Sequence, residues 1–255
     1  MKIGQYGNIS SMLELSLDGI TVGASSRIRP FLTEILSRFP DSIHSIYVTG
    51  SALTPDFNEK RSDVNSLIML NEMKLEFLRS LAPLGRKFGA KGVAAPILMT
   101  PEYVSQSLDV FPMEFLELKM IHKTIYGKDI LEGIEIEKPL LRLQCEREIK
   151  TRLMGLRQGY ISVLGKADKV SRILSGSITG CIPLFRAVIY LEGKEPPVTK
   201  AEVINALAEA TGVKGGAFAK VLSLQDKDGD DALSLFEEYY SNLESVSAII
   251  NALEQ

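Results

Sequence analysis

Apolar positions in the first half of the chain switch between helical and strand-like spacing. Ile28, Phe31, Leu32, Ile35 and Leu36 recur at three- and four-residue intervals, the stripe of an amphipathic helix. Ser25 or Ser26 can cap it, and it ends near Pro40. "SIHSIYVTG" then reads as a strand, followed by a polar loop from Thr54 to Ser62 and a second strand, "VNSLIML". Helical spacing returns through Leu75, Leu78 and Leu81, with Gly89 as its stop. A third strand is expected in "VAAPILM" and a short helix from Pro101. A fourth strand is expected in "FPMEFLEL", where Phe111, Met113 and Phe115 alternate with Glu114 and Leu116. This alternating region closes near "YGKD", Tyr126 to Asp129.

Beyond Pro139 the strand-like runs cease. Ile149, Leu153, Leu156, Tyr160 and Leu164 form one helical stripe, and Leu233, Phe236, Tyr240, Leu243, Val246, Ile250 and Leu253 another. Thr199 and Glu202 have the spacing of a capping box. The change of period predicts an α/β domain with a mixed sheet over residues 1–137 and an all-helical bundle domain over 138–255. The uncharged stretch "ILSGSITGCIPLF" falls short of the roughly 20 residues that span a bilayer and contains Pro183. A buried bundle helix is expected there, with no membrane partner.

Composition narrows the function classes. Of 255 residues, 45% are apolar and 24% charged, which suits a soluble globular chain with ample core. The formal net charge of −3 supplies no global basic field to recruit nucleic acid. Cys145 and Cys181 are far apart in sequence and fit neither a CxxC knuckle nor a disulfide framework, so two reduced thiols in a cytoplasmic protein are expected. The first residues, "MKIGQYGNISSMLELSLDG", lack the apolar core of a signal peptide.

The candidate chemistry lies in "IYVTGSALTPDFNEKRSDVNSLIML". Gly50-Ser51 at a strand end can bring backbone and a hydroxyl close to phosphate oxygens. Asp63 leads into the neighbouring strand, and a side chain two positions on shares its face, as two metal-holding acids would. That position is Asn65. Glu114, expected on a later strand, offers a third carboxylate.

These residues resemble the nucleotidyltransferase superfamily of DNA polymerase beta. Its pattern is Gly-Ser, a loop, an Asp-x-Asp/Glu pair opening a strand, and a third acid on another strand. An α/β domain followed by a helical one is similar to the aminoglycoside adenylyltransferases. The resemblance implies that Gly50 and Ser51 hold the phosphates of a nucleoside triphosphate such as ATP. Asp63 and Glu114 would be catalytic and, with Asn65, would ligate Mg²⁺ or Mn²⁺. The reaction implied is nucleotidyl transfer to a small-molecule or protein hydroxyl. Asn65 departs from the pattern, because an amide oxygen can ligate a cation but brings no charge. The alternative expectation is therefore a catalytically impaired nucleotide-binding or protein-interaction module with a regulatory role.

Other signals are weaker. Lys119 and Lys123, near His122, offer positive charge to a triphosphate or make a solvated helix face. Two distant histidines, His44 and His122, support neither a zinc site nor a Ser-His-Asp triad. Arg142, Arg147, Lys150, Arg152 and Arg157 form the polar side of an amphipathic helix, which either is solvated or faces an anionic partner. "DKDGDDALSLFEE" misplaces the glycine of a calcium loop and reads as a helix cap. "FEEYYSNL" suits bundle core or an oligomer interface equally.

Overall fold

The computed structural model describes residues 15–224 and 231–253. The chain forms two compact units that are discontinuous in sequence. One comprises the chain through Ser107 together with Leu118–Ile134; the other comprises Leu108–Glu117 and the chain from Glu135 onward. Residues 108–117, which the change of period assigns to the α/β domain, thus group with the helical part.

The first unit is built on a mixed four-stranded sheet. Strands β1 (Ile43–Thr49), β2 (Asn65–Leu70), β3 (Ile97–Met99) and β4 (His122–Gly127) lie in the order β3-β2-β1-β4. β1 is antiparallel to both β2 and β4, and β2 is parallel to β3. Helices α1 (Val22–Arg38) and α2 (Leu75–Gly89) supply the apolar layer. Ile28, Phe31, Leu32 and Ile35 of α1 and Phe77, Leu81, Leu84 and Phe88 of α2 share one buried cluster with Ile46, Val48, Ile68 and Leu70. Phe31 and Phe88 meet edge to face at 5.4 Å. The period-2 alternation of β1 and β2 therefore sends one side chain set into this core and the other, including Thr49 and Asn65, to the opposite face.

Two elements differ from the sequence expectation. "FPMEFLEL" is not a strand; it forms helix α4 (Pro112–Met120), after the short α3 (Pro101–Ser105). Its buried residues are Pro112, Met113, Phe115 and Leu116, a helical spacing that overrides the alternation of Phe111, Met113 and Phe115, and Pro112 occupies the first helical position that proline favours. The fourth strand is instead "HKTIYG", whose short polar sequence gives little alternation to read.

The second unit contains α5 (Lys138–Ser162), α6 (Ala167–Leu191), α7 (Lys200–Thr211), α8 (Gly216–Ser223) and α9 (Ala232–Ala252). α6 packs against the other four. By length and composition α6 is the one helix among the described residues that could cross a membrane, and over half of its apolar window is buried within the protein. The threonine half of the capping box forms: Thr199 Oγ1 accepts from the Glu202 amide, and its hydroxyl donates to Glu202 Oε2 at 2.6 Å. The calcium-loop candidate begins on residues 226–230, outside the described residues, and continues into α9, whose N-cap residue Asp231 makes no side-chain cap hydrogen bond.

Candidate functional site

The turn after β1 is pinned on several sides. Gly50 has φ +70°, a left-handed conformation that favours glycine, and opens a single 3₁₀ turn, Gly50–Leu53. Its amide donates to the Ile121 carbonyl at 3.2 Å, and the Thr54 amide donates to the Ser51 carbonyl at 3.0 Å. Thr21 N–H reaches the Ala52 carbonyl at 3.4 Å.

The register decides which residues share the turn's surroundings. Thr49 pairs with Asn65 on one side and His122 on the other, whereas Val48 pairs with Ser66 and Lys123. Directly opposed residues project to one face, so Asn65 and His122 flank Thr49 and Lys123 lies on the other face. A Cβ at Gly50 would sit 3.7 Å from Asn65 Nδ2. Val64 is fully buried in the helix-side core, so Asp63 and Asn65 point away from it; both are exposed. Gly50, Asn65 and Asp63 are thus brought to one end of the sheet. Lys119 does not join them freely, because its Nζ donates to the Ile134 carbonyl at 2.6 Å.

Arg27, which the sequence did not single out, lies beside Asp63. A Cβ at Gly92 would be 3.0 Å from Arg27 Nη1 and 3.7 Å from Asp63 Oδ1. The guanidinium also donates to the Ser62 carbonyl at 3.3 Å and to the Glu59 carbonyl, and lies 5.8 Å from the centre of the Phe57 ring. It therefore ties α1 to the loop before β2. The Glu59 carboxylate is packed over the first turn of α1, where a Cβ on Gly23 would overlap it.

A magnesium pair does not fit this donor set. Of the two positions that open β2, Asp63 is a carboxylate while Asn65 adds no charge, and a guanidinium flanks the same point as Asp63. Strand neighbours on the β3 side, running from the Val64–Val93 bridge, are Gly92, Val93, Ala94 and Ala95, none of them acidic. Among the described residues no group of three Asp, Glu, His or Cys side chains is placed to hold a metal. Glu114 lies on α4, in the helical unit. Its Oε2 accepts from Gln144 Nε2 at 2.6 Å, and Gln144 Oε1 accepts from the Met113 amide at 2.8 Å.

His122 belongs to a polar network that no sequence signal marks. Its Nε2 lies 2.9 Å from Asp129 Oδ2, which also accepts from Thr124 Oγ1 at 2.6 Å. Asp129 Oδ1 accepts from the amides of Leu131 and Glu132 at 2.9 and 3.2 Å. Tyr47 Oη donates to the Lys128 carbonyl and accepts from the Ile130 amide, closing the same segment over β1 and β4. Burial raises the Asp129 carboxyl, but hydrogen bonds from Thr124, His122 and the Glu132 amide outweigh it and hold the group below its usual value. A depressed carboxyl stabilises the fold above its unfolded pKa, and that contribution is lost as pH falls through the folded value. Asp129→Asn is expected to lower stability by roughly 1–2 kcal/mol at pH 7, at the modest end because the group is partly solvated. Denaturant titrations should show the difference shrinking as pH falls from 5 toward 2, a range set by the ordinary carboxylate pKa of about 3.9.

The basic side of α5 is largely neutralised within its own unit. Arg142 bonds Glu146 at 3.0 Å, Lys150 bonds the same carboxylate, and Arg152 lies 3.7 Å from Glu148. Arg157 Nε donates to Tyr240 Oη at 2.6 Å. Cys145 and Cys181 are free and buried, and burial pushes the Cys145 thiol up to about 12, so neither is a poised nucleophile.

No protein-family model matches the chain, and no curated protein matches it. Among solved structures it is similar to a crystal structure of spectinomycin adenyltransferase AAD(9) from Enterococcus faecialis with ATP and spectinomycin. The identity is 13%, the match covers 86% of this chain and 98% of that chain, and the TM-score is 0.44. A likeness of that size assigns neither a family nor an activity.

Proposed function

We propose that the chain is a nucleotide-binding protein on a nucleotidyltransferase-like scaffold that does not carry out two-metal nucleotidyl transfer. The observation that carries this reading is the end of β2. Asn65 lies beside the left-handed Gly50 turn and Asp63, two places earlier, projects from the same face, as a metal-holding pair would, yet only one of them is a carboxylate. The turn keeps what phosphate approach requires: a glycine with no side chain and a hydroxyl on the next residue. Transfer requires metal ions that neutralise developing charge on the phosphoryl oxygens and activate the attacking hydroxyl, and a lone acid beside a guanidinium is poorly suited to hold them. The role left to the site is binding, with nucleotide occupancy as the signal.

The test is thermal or chemical stability with each of the four common nucleoside triphosphates, alongside a pyrophosphate-release assay. A ligand at a hundredfold excess over its Kd should add about 2.7 kcal/mol. Gly50→Ala places a methyl only 3.7 Å from Asn65 Nδ2, so the protein should fold with a modest strain penalty, and the nucleotide stabilisation should fall sharply. Sustained pyrophosphate release that Asp63→Asn abolishes would refute the proposal in favour of an active transferase. Absence of stabilisation by any nucleotide would remove the site altogether.

A further inference from the structure

We infer that Arg27 takes the place of the metal ion at this site, so that the chain binds a nucleoside triphosphate without a divalent cation. The inference rests on the nucleotide-binding reading above and specifies its chemistry.

A cluster of three carboxylates makes a divalent ion obligatory, because a bare triphosphate would be repelled from it; the metal both occupies the acids and accepts the phosphate oxygens. The local charges here are different. Asp63 is flanked at the Gly92 position by the Arg27 guanidinium. The second position is the neutral Asn65, and the adjoining backbone of Gly92 to Ala95 contributes no acid. Glu59 on the intervening loop is occupied over the first turn of α1. An incoming triphosphate at the end of β2 therefore meets a guanidinium beside a single strand-leading acid, not the acid pair that calls for Mg²⁺.

Arg27 is also held in place rather than sweeping through solvent. Its donors are fixed on the Ser62 and Glu59 carbonyls and its plane lies near Phe57. Neutral carbonyl partners leave the formal charge uncancelled, and guanidinium is a strong partner for phosphate oxygens. Gly92, at φ +73°, has no side chain to screen it, and a Cβ there would come within 3.0 Å of Nη1. Glycine at that position keeps the cation approachable.

The experiment is calorimetric titration of the full chain with ATP, once in EDTA and once in excess Mg²⁺. Wild type is expected to bind with similar Kd in both. Arg27→Gln should weaken binding by about tenfold or more in either buffer, the size of a lost charge-assisted contact. Arg27→Lys, which keeps the charge, separates that loss from a loosened loop by retaining part of the affinity. Asn65→Asp should convert the site: weaker than wild type in EDTA and restored by Mg²⁺. Wild-type binding that requires Mg²⁺ and disappears in Asp63→Asn would overturn the inference while leaving the nucleotide site standing. Absence of ATP binding in both buffers would overturn the nucleotide-binding reading, and this inference with it.

Discussion

Glu117→Ala is expected to destabilise the helical unit by roughly 3–5 kcal/mol, the cost of leaving a buried cation without its partner. Arg186 on α6 is only 5% exposed. Its Nη1 donates to Glu117 Oε2 at 2.7 Å, its Nε to the Pro197 carbonyl at 2.9 Å and its Nη2 to the Val198 carbonyl at 2.6 Å. One guanidinium thus fixes α4, α6 and the connection leading into α7. Burial pushes the Glu117 carboxyl up, against the pull of Arg186, and its Oε1 has no hydrogen-bond partner. The pair is therefore a weak source of net stability but a costly one to break. Arg186→Met should behave differently, because the acid can then neutralise itself. With its folded pKa raised above the unfolded value, Glu117 contributes stability that is present at low pH and is lost as pH rises through the folded pKa. Denaturant midpoints of Arg186→Met should accordingly fall between acid pH and neutrality more steeply than those of wild type. The Pro197 and Val198 carbonyls would also lose their donor, but Val198 is exposed and Pro197 half-buried, so water can replace much of that hydrogen bonding.

Much of the first unit was legible because periodicity and punctuation agreed. The stripe from Ile28 to Leu36 became the buried face of α1, and "SIHSIYVTG" and "VNSLIML" became β1 and β2. The start of α1 was placed too late: Thr21 is its N-cap residue, without a side-chain cap. Pro101 opens α3, with Thr100 Oγ1 accepting from the Tyr103 amide. Failures came where several apolar residues sat together. In "FPMEFLEL" a two-residue alternation and a helical spacing use nearly the same positions, and only tertiary burial of Leu116 beside Phe115 separates them. In α5 the stripe holds through Leu156, but Tyr160 is 36% exposed, and Leu164, beyond the helix end at Ser162, is 81% exposed. In α9 the fully buried aromatic is Tyr239, one place before the expected Tyr240.

Of the candidate site, the local part was readable and the long-range part was not. Gly50, Ser51, Asp63 and Asn65 belong to one hairpin, so their spacing places them together. Arg27 reaches the hairpin from α1 across more than thirty residues, and no periodicity marks such a contact. His122 and Asp129 are close in sequence, but their pairing depends on β4, a strand that alternation could not reveal. The face of Lys123 was undetermined for the same reason: only the register of β4 places it opposite Val48.

Gly127→Ala should be among the most damaging single-methyl additions in the α/β unit. Gly127 ends β4 at φ +78° and pairs with Ser45. A Cβ there would overlap the His44 carbonyl oxygen and lie 2.8 Å from Ser45 Cα. These contacts are backbone, so the strand itself must move. Left-handed strain alone costs roughly 1–3 kcal/mol, and displacing a paired strand adds to it, giving a total expected above about 3 kcal/mol. Gly193→Ala supplies the control. Gly193 has nearly the same φ, +77°, with no atom within 4 Å of the added methyl, so it carries the conformational penalty alone. The difference between the two variants' denaturant midpoints therefore isolates the steric part, and equal losses would show that β4 does not press on Ser45 as described. The consequence should extend to the candidate site. β4 follows directly from Ile121, whose carbonyl receives the Gly50 amide, and carries His122 beside Thr49. A shift at one end of this short strand should loosen the left-handed turn at the other, so that Gly127→Ala loses nucleotide stabilisation even at temperatures where it remains folded, whereas Gly193→Ala retains it.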